Sequence, residues 1–284
     1  SKRLDINNQL LSLKRNGKSF YWASKVLSKD KIDKVSQLYY VLRDLDDLAD
    51  NDIDKKNVFI NLQNFINSKQ ANTNDPIILK HLDFFNNVKS NINYKQYFSE
   101  FLDGMIFDQN EKVLIRDKKE LLEYCYKVAG TVGLMMCPIL GVLNDDAKTH
   151  ASNLGIAMQL TNIARDVFED ASNNRRYIPG DECNNLEPFK IHNRDAQEDP
   201  RQKELLRNSI IQLLDYADEH YELAKKGYRF LPFRSKICIS IAANIYREIG
   251  IIIKKNNYQL SNKRYYVSKR RKFIISLKTI LGFA

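Results

Sequence analysis

Acidic residues stop at Glu248 in this chain of 284 residues. Beyond it come only basic ones: Lys254, Lys255, Lys263, Arg264, Lys269, Arg270, Arg271, Lys272 and Lys278. These nine account for nearly all of the net charge of +10, so the rest of the chain is close to neutral. A charge confined to one terminal segment, with no zinc, RNP or helix-turn-helix pattern, gives little support to nucleic-acid binding. Cysteine is also sparse. Cys125, Cys137, Cys183 and Cys238 form no CxxC pair and have no His at ligand spacing, which excludes a disulfide framework or a zinc site. With 10 Gly and 6 Pro, collagen-like and low-complexity classes are excluded as well. The first residues, SKRLDINNQLLSL, lack the apolar core of a signal peptide. The longest uncharged run, 128–144, contains Gly130, Gly133, Pro138 and Gly141. A span needs about 20 predominantly apolar residues, so the run reads as a buried core helix of a soluble, cytoplasmic protein.

Sustained period-two alternation is missing too, and helical periodicity takes its place. Leu206, Ile210, Leu213, Leu214, Ala217, Tyr221 and Ala224 form one stripe of a 3.6-residue repeat within 200–229. Similar stripes run through 31–50, 77–88, 93–107, 118–143, 147–170 and 235–253. The expected architecture is an all-α single domain over 1–284, with about ten helices. Polar punctuation is strongest at 171–200, which holds Pro179, Pro188 and Pro200 and reads as a long structureless segment suited to a lid.

Two helices carry the candidate chemistry. On the first, Tyr39, Arg43, Asp46 and Asp50 share one face, with Asp47 beside them; on the second, Gln159, Asn162, Asp166 and Asp170 do the same. Like charges four apart repel and cost an isolated helix a few tenths of a kcal/mol. One such pair is ordinary solvated surface. Two, each set among apolar neighbours, point to a cation between the carboxylates, and Mg²⁺ with substrate phosphate oxygens is the chemical candidate. Arg43, Arg165, Arg175, Arg176 and Tyr177 lie beside or just after the acids, as a phosphate clamp requires. The small residues Ala129, Gly130, Thr131, Gly133 and Gly141 either permit close helix packing or make room for a long apolar ligand against Met135, Met136 and Leu140.

The stretches from Tyr39 to Asp50, from Tyr124 to Gly133 (YCYKVAGTVG) and from Gln159 to Glu182 (QLTNIARDVFEDASNNRRYIPGDE) resemble the squalene/phytoene synthase family. The segment from Tyr265 to Lys278 is similar to the C-terminus of its bacterial phytoene-forming members. This resemblance runs over nearly the whole chain and implies an isoprenoid-synthase helical bundle with a central active-site cavity. It implies Mg²⁺ (or Mn²⁺) held by Asp46, Asp50, Asp166 and Asp170, with Asp47 and Asn162 assisting. Diphosphate contacts fall on Ser19, Tyr39, Arg43, Gln159, Asn162, Arg165 and Tyr177. The wording RRY departs from the family's usual form, so either Arg175 or Arg176 takes the remaining positive position. Tyr124 and Tyr246 match aromatic residues near the reacting carbons, and Arg43 and the four aspartates complete the catalytic set. The implied reaction joins two geranylgeranyl diphosphates head to head through a cyclopropylcarbinyl diphosphate to phytoene, the first step of carotenoid synthesis, without NADPH. The alternatives are a squalene or dehydrosqualene synthase using farnesyl diphosphate and, with less support, a non-catalytic assembly protein. A head-to-tail prenyltransferase would share the DDxxD of residues 46–50, but not the second motif or the YC segment. The basic, aromatic C-terminal segment 254–284 is expected to rest on a membrane surface.

Overall fold

Short side chains that accept hydrogen bonds start six of the described helices. In the computed structural model, which describes residues 2–48, 54–193, 198–259 and 264–283, Ser28 caps α3 (Lys29–Asp47) and Asp54 caps α4 (Lys55–Ile66). Asn91 caps α7 (Ile92–Phe107) and Asp117 caps α8 (Lys118–Cys125). Asp75–Pro76 and Asp199–Pro200 open α5 (Pro76–Lys80) and α13 (Pro200–Lys225), where proline costs no internal hydrogen bond. The remaining helices are α1 (Lys2–Asn16), α2 (Lys18–Ser24), α6 (Leu82–Ser90), α9 (Thr131–Leu140), α10 (Asp146–Arg165), α11 (Val167–Ser172), α12 (Pro188–His192), α14 (Phe233–Lys255) and α15 (Lys269–Phe283). The fold is all-α, as the periodicity predicts.

The α13 stripe is buried at every predicted position and packs on α10, which also meets the 126–140 segment and α14. Here one hydrophobic cluster forms. A second gathers the inner face of α3 with α4 to α7, including Phe59 and the trio Phe84, Phe85 and Phe98, whose rings meet edge to face 5.7–5.9 Å apart. Between the clusters lies an apolar cavity of about 370 Å³.

Four expectations change. The 77–88 stripe is two helices, because the chain turns at His81, whose ring Nε2 meets the Asp44 carboxylate of α3 at 2.6 Å. The 118–143 stripe is α8, one wider π-helical turn over Tyr126–Gly130, and α9, which ends at Gly141 in the left-handed region (φ +87°). The 147–170 stripe breaks at Asp166, so the second acid pair straddles the joint between α10 and α11, still linked by the hydrogen bond from Asp170 N to Asp166 O. Residues 171–200 are far from structureless. They contain β2 (Arg175–Arg176), paired in parallel with β1 (Val113–Leu114), then a 3₁₀ turn and α12.

The small residues serve close packing first. A Cβ on Gly133 would stand 2.2 Å from the Ala151 carbonyl oxygen, and one on Gly155 would stand 2.2 Å from that of Ala129. The 126–140 segment and α10 therefore touch backbone to backbone. Ala129, Val132, Met136 and Leu140 still line the cavity beside this contact. Met135 does not: it is fully buried in the second cluster, because consecutive helical residues point about 100° apart.

Candidate active site

The polar end of the cavity is built from α3, α10 and α14. Tyr39, Gln159, Asn162 and Tyr246 all contribute to its wall, and the Tyr246 hydroxyl donates to Asn162 Oδ1 at 2.7 Å. One turn further along α3, Arg43 spans both described aspartates of the first motif: its Nε lies 3.2 Å from Asp47 and its Nη1 3.9 Å from Asp46. The Asp46 carbonyl accepts from Lys55 Nζ at 2.7 Å, tying the end of α3 to the start of α4. Asp50 lies outside the described residues. Ser19 is half-buried on α2, next to Phe20 of the cavity wall.

Across the cleft, Arg165 holds Asp166 with two parallel hydrogen bonds of 2.8 and 2.9 Å. Asp170 has no ion pair among the described residues. Burial, and after it the negative charges of Asp166, Glu169 and Asp108, push its carboxyl up to about 8. Desolvation and like charge together disfavour its ionised form, against the weaker pull of Arg165.

Two residues not singled out in the sequence complete the cluster. Asp108, at the C-terminal end of α7, accepts from Tyr124 (2.7 Å) and Tyr177 (2.6 Å), whose rings stack with centroids 4.8 Å apart. Its carboxyl is raised by burial, against those two hydrogen bonds and the pull of Arg175, and Asp46 raises it further. The charge of Asp108 in turn reaches Asp170. Asp108, which neighbours neither motif in sequence, thus stands electrostatically between the two acid helices. Arg264 folds back from the C-terminal segment, 3.0 Å from Glu169 and 3.5 Å from Asp166. No spacing marks it within its basic run. Tyr124 stands with Tyr177 beside Asp108, outside the residues that form the cavity wall.

The two arginines of the RRY stretch separate clearly. Arg176 is 3% exposed, and its guanidinium donates to the carbonyls of Ile178 (3.0 Å), Leu186 (2.9 Å) and Ile115 (2.8 Å). It is a structural clamp, with its donors turned into the 115–186 contact and away from any diphosphate. This corrects its inclusion among the phosphate contacts. Arg175 donates to the carbonyls of Asp108 (2.7 Å) and Glu111 (3.1 Å), so it borders the cluster. Arg176→Ala takes the donor from the Ile178 and Leu186 carbonyls, while that of Ile115 keeps Gly180 N at 2.9 Å, and is expected to destabilise the fold by about 2–4 kcal/mol, read as a lower urea midpoint. An unchanged midpoint would return Arg176 to the candidate ligand binders.

Residues 13–271 match the family model described as squalene/phytoene synthase. The chain belongs to this family. The 15-cis-phytoene synthase of Paracoccus sp. is 37% identical over 174 residues, which are 61% of this chain and 54% of that protein, so the match spans about half the length of that relative. The 4,4'-diapophytoene synthase of Staphylococcus haemolyticus is 30% identical over 270 residues, 92% of this chain and 90% of that protein. A crystal structure of a dehydrosqualene synthase in complex with ligand superposes with a TM-score of 0.81 at 30% identity, covering 99% of this chain and 97% of that one. The bundle is thus the helical isoprenoid-synthase fold that the sequence motifs imply.

The residues of this family member suit a hard divalent cation. The donors are carboxylate oxygens, and half-buried Asp170 makes no ion pair among the described residues, feeling only the more distant charge of Arg165. Among those residues no three carboxylate, His or Cys groups converge into a cage. Such a set would hold Mg²⁺ through one or two carboxylates, with substrate phosphate oxygens supplying the rest.

Proposed function

We propose that the chain, acting as one catalytic domain over 1–284, condenses two geranylgeranyl diphosphates head to head to phytoene, through a cyclopropylcarbinyl diphosphate. The observation that carries this is an apolar cavity with Tyr39, Gln159, Asn162 and Tyr246 at one end, beside α3 with Asp46 and Asp47 and the α10–α11 joint with Asp166 and Asp170. Asp46, Asp50, Asp166 and Asp170, with Asp47 and Asn162, would hold Mg²⁺ or Mn²⁺. The ion supplies charge neutralisation to the departing diphosphate. Tyr39, Arg43, Gln159, Arg165 and Tyr177, with Ser19 and Arg175 at the margins, bind and orient the diphosphate oxygens.

In the first half-reaction the C1–O bond of one substrate breaks, and its electron pair leaves with diphosphate. The double bond of the second substrate attacks the allylic cation, and a proton is lost as the cyclopropane closes. In the second, the remaining C–O bond breaks in the same way, the carbon skeleton rearranges, and a further proton is lost. No reductant is consumed on the way to phytoene, so no NADPH is needed. The face of Tyr246, on the cavity wall, can stabilise positive carbon by about 0.5–2 kcal/mol, and Tyr124, stacked on Tyr177 outside that wall, would act through its hydrogen bond to Asp108. The apolar walls keep water from quenching the cation.

The coverage of the dehydrosqualene synthase structure favours a second reading, in which the substrate is farnesyl diphosphate and the product has thirty carbons. Purified protein with Mg²⁺ is offered each diphosphate, with and without NADPH, and the hydrocarbons are identified by mass. Phytoene from the C20 substrate without NADPH is the expected outcome. A C30 product alone would move the chain to the second reading, and no product from either would leave an assembly role.

Cytoplasmic residence with peripheral membrane contact through segment 254–284 is part of the same proposal. No described helix is long and apolar enough to cross a membrane. On α15, Phe273, Leu277 and Leu281 are exposed next to Lys269, Arg270 and Lys278.

A further inference from the structure

The end of the cavity remote from the aspartates lies just under the surface. Val142, Gly227 and Leu231 line it there, from two neighbouring loops. These loops touch: a Cβ on Gly141 would stand 3.1 Å from Pro232. Val142 is buried while the next residue, Leu143, is 91% exposed. Two residues after Leu231, Phe233 is 64% exposed. Large apolar side chains this bare beside a hydrocarbon-shaped cavity suggest contact with something other than water.

The charges around them have one dominant sign. Lys226, Arg229, Arg234 and Lys236 flank the second loop, with Lys225 paired to Glu222 at 3.1 Å, and no acid occurs between Glu222 and Glu248. On the first loop Asp145 is paired with Lys148 at 2.9 Å, and Asp146 sits in the first turn of α10, where the helix dipole favours it. The C-terminal helix extends toward the same end. Arg271 pairs with Glu248 at 2.8 Å, and Asn244 donates to Thr279 at 3.0 Å, so α15 runs antiparallel to α14, back toward Phe233. Its exposed Phe273, Leu277, Ile280 and Leu281 follow that course.

We propose that this end of the molecule, the 141–145 and 225–236 loops with the outer face of α15, docks on an anionic lipid bilayer, and that the product leaves the cavity through it. Charge complementarity selects the occupant. Basic side chains around bare apolar tips match an anionic headgroup layer over hydrocarbon. A long product that passes from cavity to bilayer never crosses water. The inference rests on the product being such a hydrocarbon.

The test uses the full chain with the double variant Leu143→Asp/Phe233→Asp, both side chains being exposed and outside the catalytic set. Co-sedimentation is measured with phosphatidylcholine vesicles and with vesicles of equal phosphatidylcholine and phosphatidylglycerol. Wild-type protein should bind the anionic vesicles, and the variant about tenfold more weakly. Single-turnover product yield should be unchanged, while steady-state turnover with vesicles present falls by a similar factor. Wild-type protein that ignores anionic vesicles, or a variant that binds as tightly as wild type, would overturn the proposal. So would unchanged turnover with vesicles. If no hydrocarbon forms at all, the functional proposal fails while the sedimentation arm still reports on the surface.

Discussion

Asp46→Asn and Asp166→Asn should each lower kcat at least about a thousandfold while far-UV circular dichroism stays that of the wild type. The amide keeps the shape and one acceptor but loses the charge. A metal bridging to diphosphate depends on that charge, and several kcal/mol of leaving-group stabilisation go with it. Asp46 is the cleaner probe, because its side chain is exposed and its one close cation among the described residues, Arg43 at 3.9 Å, has Asp47 nearer. Asp166 carries more structural weight through its paired bonds from Arg165, so its thermal midpoint is read alongside activity. Activity within tenfold of wild type in a folded variant of either kind would remove that carboxylate from the metal set.

The second large effect is on stability, and its sign is opposite to the usual one for a lost charge. The Asp170 carboxyl is pushed up to about 8 by burial and by neighbouring carboxylates. In metal-free protein the folded state keeps this proton until about pH 8, whereas the unfolded chain releases it near pH 4. The unfolded state thus binds fewer protons between these limits, and stability from this group falls as pH rises through the window. Below about pH 4 the penalty is absent. Every pH unit crossed inside the window costs the folded state up to about 1.4 kcal/mol. Asp170→Asn cannot ionise, so in chelator near pH 7.5 it should melt higher than wild type, by on the order of 5 °C, while showing no activity. The gap should close toward pH 4. A variant that melts lower than wild type across the whole range would show that Asp170 is satisfied without a cation.

The bundle is plain in the sequence because it follows from helical spacing, as the α13 stripe shows; of the acid pairs, Asp50 lies outside the described residues, and Asp166 and Asp170 straddle the joint between α10 and α11. What escaped depends on contacts between distant parts of the chain. The breaks at His81, at the π-helical turn and at Asp166 fall inside continuous apolar periodicity, so no local signal marks them. The 171–200 segment, rich in proline, gives no hint that Arg176 will find three carbonyls, one of them sixty-one residues away at Ile115. Asp108 follows a phenylalanine at the end of α7 and matches no motif. Only the β1–β2 pairing brings Tyr177 to its carboxylate. Met135 and Met136 are indistinguishable by composition, and helix rotation alone sends one to the core and the other to the cavity.

The account turns on the two acid helices forming one metal–diphosphate site, and equilibrium binding of Mn²⁺ tests that most directly. Ions bound per chain are counted with and without inorganic diphosphate, in wild type, Asp46→Asn and Asp166→Asn. A joint site predicts that diphosphate tightens Mn²⁺ binding at least about tenfold, and that a variant on either helix abolishes the tightening. Binding indifferent to diphosphate, or lost in one variant and untouched in the other, would contradict a shared site.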